Sequence, residues 1–293
     1  MKNKLSLFAV PYVGWMSIFV VAPIIIMVVY AFSTAAGDFT LENFARMGTY
    51  TAVFTRSFKL AIIATLIALL IGYPVSYMLS KEGPQVQRIA MVLIMLPMWM
   101  NFLLRTYSWM SILENNGLLN QLFQQIGLID LYNQIAMHFA SDPAAYVPID
   151  HFQMIGTQGA VVLGMVYNYL PFMFLPIYSV LVKLDHSLIE AARDLGASSV
   201  QVFRKVILPL SLPGVLSGIT MVFVPSVSTF AISRLLGGGT QMMLGDLIEQ
   251  QFLGGAYNPQ LGAAIALVMM AIVVVCMLVM NRFGDGEEQA VML

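Results

Sequence analysis

Long apolar runs alternate with short polar ones along this chain, and six of the runs are long enough to cross a membrane. A spanning helix needs about 20 mainly apolar residues, because hydrocarbon offers the backbone no hydrogen-bond partner outside the helix itself. The runs lie at about 7–32, 58–80, 88–112, 157–182, 207–232 and 260–282. Pro23 marks a kink in the first, and Gly72 and Pro74 fall near the end of the second. The loop over about 113–156 is long. Within it, Gly117 to Phe139 has apolar residues at helical spacings broken by Gly127, which predicts one or two amphipathic helices at the outer surface. The loop over about 233–259 carries Gly237-Gly238-Gly239 and Gly254-Gly255. It reads as an ordinary turn-rich loop, with a re-entrant gate as the alternative.

One polar run has internal order. Ser187-Leu188-Ile189-Glu190 fits a capping box, and Ser198-Ser199-Val200-Gln201 repeats the device. Gly196 lies between them, where a left-handed turn is easiest. Pro209 lacks an amide proton and marks a break before the next apolar run. The pattern predicts a short helix, a glycine turn and a second short helix beside the membrane.

Composition agrees with a membrane protein. Of 293 residues, 59% are hydrophobic and 10% charged, against about 25% charged in soluble domains. The net charge of -1 leaves no basic field for nucleic acid. The first run is longer than a signal-peptide core and reads as an uncleaved anchor. With the N-terminus inside, Lys2, Lys4, Lys81, Arg88, Lys183, Arg193, Arg204, Lys205 and Arg282 are cytoplasmic, and Arg46, Arg56, Lys59, Arg105 and Arg234 are not. That bias places both termini, and the 190–209 run, in the cytoplasm.

No G-x-x-x-x-G-K-[ST] loop, H-E-x-x-H, C-x-x-C or G-x-S-x-G occurs. His138, His151 and His186 are scattered, so no metal site is expected. Acids fall almost entirely in loops, which leaves an ion-coupled secondary carrier without visible charge machinery.

Glu190-Ala191-Ala192, Gly196 four residues on, then Val206, Leu208 and Pro209 resemble the EAA motif of ABC-importer permeases, with Val206 where that family usually has isoleucine. The resemblance implies an all-α membrane protein of the type I (MetI-like) permease fold with about six transmembrane helices. It also implies a cytoplasmic coupling helix, residues 185–207, that docks on a separate ATPase. Glu190, Ala191, Ala192, Arg193, Asp194, Gly196, Leu208 and Pro209 would carry that coupling. Residues 1–56 then form an N-terminal helix and outer loop, and 57–293 a five-helix core. The runs 96–130, 70–81, 167–198 and 251–264 are similar to spermidine/putrescine-type permeases, specifically the first of their two permease subunits. The implied partners are a second permease, two ATP-binding subunits holding ATP and Mg, and an extracytoplasmic binding protein. This chain would be a non-catalytic subunit in a bacterial inner membrane, with no cofactor of its own. Permeases for thiamine, iron, sulfate or phosphonates share the architecture.

A polycation calls for aromatic faces, neutral acceptors and carboxylates along its route. Trp99, Asn101, Tyr107 and Trp109 in the third run suit it, although Tyr107 and Trp109 suit an interfacial aromatic belt better. Arg105 is an awkward neighbour. Tyr167 and Asn168, Ser226 and Ser228, and the acids Asp246 and Glu249 complete the candidates, with most carboxylates expected from the partners.

Overall fold

The computed structural model describes residues 11–139 and 146–291. Lys2, Lys4 and the first residues of the opening apolar run lie outside them. Among the described residues the protein is helical, with a single isolated bridge between Ser33 and Phe39.

The centre is three helices, α3 (Thr51–Ser80), α8 (Gln158–Leu181) and α10 (Ser199–Ser228). Small residues make up much of the face that α3 buries: Ala61, Ala64, Ala68, Gly72 and Ser76, beside the larger Leu60, Tyr73 and Leu79. They recur at helical spacing and let neighbouring backbones approach. A Cβ on Gly72 would lie 3.1 Å from Met173 Cγ of α8. Between α8 and α10 the approach is closer still. A Cβ on Gly214 would sit 2.8 Å from the Pro176 carbonyl oxygen, and one on Gly218 would sit 3.0 Å from that of Met173. Two buried polar pairs link the bundle further, Tyr73 with Ser211 at 2.9 Å and Ser76 donating to the Phe174 carbonyl at 3.3 Å.

Around this centre lie α1 (Pro11–Ala31) and α13 (Pro259–Val291), joined through Ala31, Ala263 and Ala264. A short α2 (Glu42–Arg46) leads into α3. Five helices are long and apolar enough to cross a membrane, or six if a bent pair counts as one span.

That bent pair corrects the third predicted run. It is not one straight helix but α4 (Pro84–Trp99) and α5 (Phe102–Leu113), and the chain turns by 90° at the break. Met100 and Asn101 both leave helical geometry, and the Asn101 side chain accepts from the Leu103 and Leu104 amides at 2.8 and 3.4 Å. Asparagine competes well for this capping role, and Pro97 has already removed one amide from the last turn of α4.

The loop over about 113–156 forms two helices, as its pattern predicts. Helices α6 (Leu118–Gln125) and α7 (Leu128–Phe139) flank Gly127, whose φ is +72°. The 233–259 region does not behave as an ordinary loop. It holds α11 (Ala231–Leu236) and α12 (Leu244–Leu253), which bury Leu236, Met243, Leu244 and Leu247. Gly238 and Gly239, at φ +56° and +75°, make only the tight turn between them. Gly156 ties that turn to the start of α8, donating to the Leu236 carbonyl at 2.8 Å and accepting from Thr240 at 3.0 Å.

Candidate functional site

The EAA-like residues sit on α9 (His186–Asp194) and the turn after it. The helix starts one residue before Ser187, so the predicted Ser187–Glu190 capping box does not form. Asp185 caps instead, its carboxylate accepting from the Ser187 amide at 2.9 Å. A carboxylate at a helix start has both a hydrogen bond and the helix dipole in its favour. That amide holds the Asp185 carboxyl below the usual carboxylate range.

The far end closes as a glycine turn. Gly196 has φ +82°, its amide donates to the Arg193 carbonyl at 2.8 Å, and the Ala197 amide donates to the Ala192 carbonyl at 3.1 Å. This is a Schellman closure. Ala192 and Ala197 pack together with Ile189, Phe203 and Val206 on the buried cluster of Tyr73, Ile177, Leu181, Ile207 and Val215. The second predicted box is present: Ser198 Oγ accepts from the Gln201 amide, and Gln201 accepts from the Ser198 amide at 2.8 Å.

Pro209 does not break the chain, contrary to expectation. Residues Phe203–Ile207 form a π turn inside α10, and the helix continues through Leu208 and Pro209. A wider turn absorbs the missing amide and moves the preceding carbonyl off the proline ring. The same arrangement occurs in α1, where a π turn at Ser17–Val21 precedes Pro23.

The inner face of α9 is thus anchored to the bundle, and its outer face is bare. Leu188, Ala191 and Leu195 follow each other at intervals of three and four residues and are exposed, Leu195 to 89%. Glu190, Arg193 and Asp194 are exposed beside them.

The cargo-path candidates divide by environment. Trp99, at the end of α4, is 76% exposed, and Tyr107 on α5 is exposed too. Arg105 turns the other way and is buried. Trp109 packs edge-on against Tyr167, ring centres 5.3 Å apart. Asn168 is buried; its amide donates to the Gly164 carbonyl at 2.9 Å, while its side-chain oxygen has no donor. Ser226 and Ser228 donate back to their own helix, to the Val222 and Val224 carbonyls. Glu249 pairs with Arg234.

Asp246 is buried, and one of its oxygens accepts from both Ser233 Oγ at 2.5 Å and the Met243 amide at 2.9 Å. It locks α11 to α12. Burial raises its carboxyl above the usual range, against the two hydrogen bonds. Asp246→Asn can keep both bonds and should be nearly neutral, whereas Asp246→Leu should cost about 1–3 kcal/mol by leaving the buried Met243 amide unpaired, since Ser233 Oγ can still donate to the Phe230 carbonyl at 3.0 Å. Detergent melting curves would distinguish the two. Because the folded value lies above the unfolded one, the native carboxyl contributes a fall in stability as pH rises from the unfolded value through the folded one. Asp246→Asn should remove that slope.

Residues 64–286 match the family described as binding-protein-dependent transport system inner membrane component. The chain belongs to this family. It is therefore a multi-pass permease of a bacterial inner membrane. The permease is 35% identical over 281 residues to the spermidine/putrescine transport system permease protein PotB of Escherichia coli (strain K12), covering 93% of this chain and 95% of that one. It is 34% identical over 285 residues to PotB of Haemophilus influenzae, covering 93% of each. In fold it is similar to a chain of a bacterial ABC transporter that imports the acidic polysaccharide alginate, at TM-score 0.72, 18% identity, and 97% and 96% coverage of the two chains. It is also similar to one in the MetNI methionine ABC transporter, at TM-score 0.54, 19% identity, and 84% and 98% coverage.

Two features of the permease escaped the reading of its sequence. The bare outer face of α9 was legible only as Leu188, Ala191 and Leu195 at helical spacing, and nothing in the pattern shows that the opposite face is already satisfied. The burial of Arg105 had no local signal, because the bend at Met100 and Asn101 decides which way α5 faces.

Proposed function

We propose that this chain is one of two membrane subunits of an ATP-driven importer that receives polyamines from an extracytoplasmic binding protein. The observation that carries this reading is the near full-length likeness to permeases named for spermidine and putrescine transport. Both termini and α9 face the cytoplasm by the charge bias. There the bare apolar stripe of α9, rimmed by Glu190, Arg193 and Asp194, meets a separate ATPase subunit that binds ATP and Mg. Closure of the ATPase pair moves α9. The packing of Ile189 and Ala192 on the bundle carries that movement to α3, α8 and α10, switching the access of the path between two states.

The cargo side rests on Trp99 and Tyr107, exposed aromatic faces for an ammonium group, and on the donor-less Asn168 oxygen. Trp99→Ala should lower uptake by roughly twofold to thirtyfold, the range of one cation–π contact, while the assembled complex is recovered at normal yield. Unchanged uptake would take Trp99 out of the path. Cargo class is tested by screening the cognate binding protein against polyamines, thiamine, iron and phosphonates. Selective polyamine binding is expected, and selective binding of any of the others would replace polyamines in this reading.

A further inference from the structure

On the side of α9 away from its bare stripe lies a cavity of about 330 Å³. The helix lines it with His186, Ile189 and Arg193, which fall three and four residues apart on one face. The end of α3 lines it with Tyr77 and Lys81. Leu181 of α8 and Ile207 of α10, both buried, form the floor.

The lining is of two kinds. The floor is apolar, while the rim carries Lys81, His186 and Arg193 and, among the described residues, no acid. All three rim residues are exposed, so a ligand from outside the chain can reach them. Lys81 is held in place, with Nζ 3.8 Å from the centre of the Tyr77 ring. An aromatic face attracts the ammonium without neutralising it and leaves its protons free to donate. Among the described residues neither Lys81 nor Arg193 takes part in an ion pair. A lysine and an arginine converging on one cavity favour an anion, and the guanidinium fork matches phosphate oxygens.

The height of the cavity in the membrane selects the kind of anion. Two apolar spans, ending at Ser80 and Leu181, close beside it, where hydrocarbon gives way to water. Leu70 and Pro74 precede Tyr77 and Lys81 on the same face of α3, and both are exposed. That face is apolar along the hydrocarbon and cationic at its end. A free phosphate would use only the cationic end, whereas a phospholipid matches both. Basic pockets between helices on the cytoplasmic side are suited to anionic headgroups.

We propose that this cavity seats the phosphate of an anionic phospholipid from the cytoplasmic leaflet, with the acyl chains along Leu70 and Pro74. The lipid ties the inner face of α9 to the end of α3. This rests on the cytoplasmic placement of α9 proposed above.

The test is native mass spectrometry of the complete importer with phosphatidylglycerol, phosphatidylcholine and inorganic phosphate as probes. Phosphatidylglycerol should be retained over phosphatidylcholine, and Lys81→Gln with Arg193→Gln should lower its retention by about tenfold or more. Lys183→Gln with Arg204→Gln removes two exposed charges that do not line the cavity and should change retention little. Equal retention of the two lipids, or equal losses in the two double variants, overturns the inference. Phosphate bound with no lipid retained makes this a free-anion site and overturns it too. A cryo-EM map of the importer in phosphatidylglycerol nanodiscs should place a lipid phosphate oxygen about 2.7–3.2 Å from Lys81 Nζ or the Arg193 guanidinium. A carboxylate there instead, from the ATPase or from Asp285, Glu287 or Glu288 of this chain, overturns the lipid site. The placement of α9 is tested separately, by labelling Ser187→Cys in a Cys276→Ser background with a membrane-impermeant maleimide. Labelling in inside-out vesicles is expected, and labelling from outside the cell overturns that placement whatever the lipid result.

Discussion

Replacing Glu190 and Gly196 together with alanine is expected to lower ATP-driven uptake by about tenfold or more while the chain still inserts and its partner still hydrolyses ATP. The two changes act on different parts of the joint. Glu190 is exposed, so its removal costs the fold little and falls on whatever docks against α9. Gly196 stands at φ +82° with open space where a Cβ would go. Alanine there meets no neighbour; it meets only the intrinsic penalty of a left-handed residue, about 1–2 kcal/mol. That is enough to open the Schellman closure and let α9 swing relative to the start of α10. Uptake per ATP hydrolysed, measured in membrane vesicles, is the readout. An unchanged ratio would mean that this turn does not couple the two activities.

Gly218→Val should fail differently, by preventing a stable protein from accumulating. In contrast to Gly196, a Cβ at 218 would lie 2.8 Å from Met173 Sδ, 3.0 Å from its carbonyl oxygen and 3.3 Å from its Cα. Sulfur at the end of a flexible side chain can move, but the backbone of α8 cannot move without separating the bundle. Gly214, one turn away, meets the Pro176 carbonyl and Ile177 Cα in the same way. Overpacking of a close crossing costs about 1–3 kcal/mol or more, and here two adjacent turns share the seam. Yield and protease resistance should drop sharply for Gly218→Val, less for Gly218→Ala, and scarcely for Gly196→Ala. Equal behaviour of all three would mean that α8 and α10 do not approach as closely as described.

Much of the architecture was visible in the sequence because hydrocarbon forces long apolar helices, and few soluble folds bury so long an apolar run. The glycine turn at Gly196 and the box at Ser198 were readable for a similar reason: each depends on a few adjacent residues. The misses came where a distant or competing group decided the outcome. Asp185 displaced Ser187 as the cap. A π turn at Phe203–Ile207 carried the helix through Pro209. Asn101 bent a run that is apolar enough to have been straight. The glycines at 237–239 read as a loop, although the residues on either side bury Leu236 and Met243 and are fastened by Asp246. Among the path candidates, exposure separates Trp99 and Tyr107 from Trp109, Ser226 and Asp246, which composition alone cannot do.

The most direct measurement is uptake into proteoliposomes holding this chain with the second permease and ATPase proposed for it. Labelled spermidine or putrescine would be supplied with the cognate binding protein. Accumulation that requires both ATP and the binding protein is the predicted result. Accumulation by this chain alone, or driven by an ion gradient without ATP, would contradict the account.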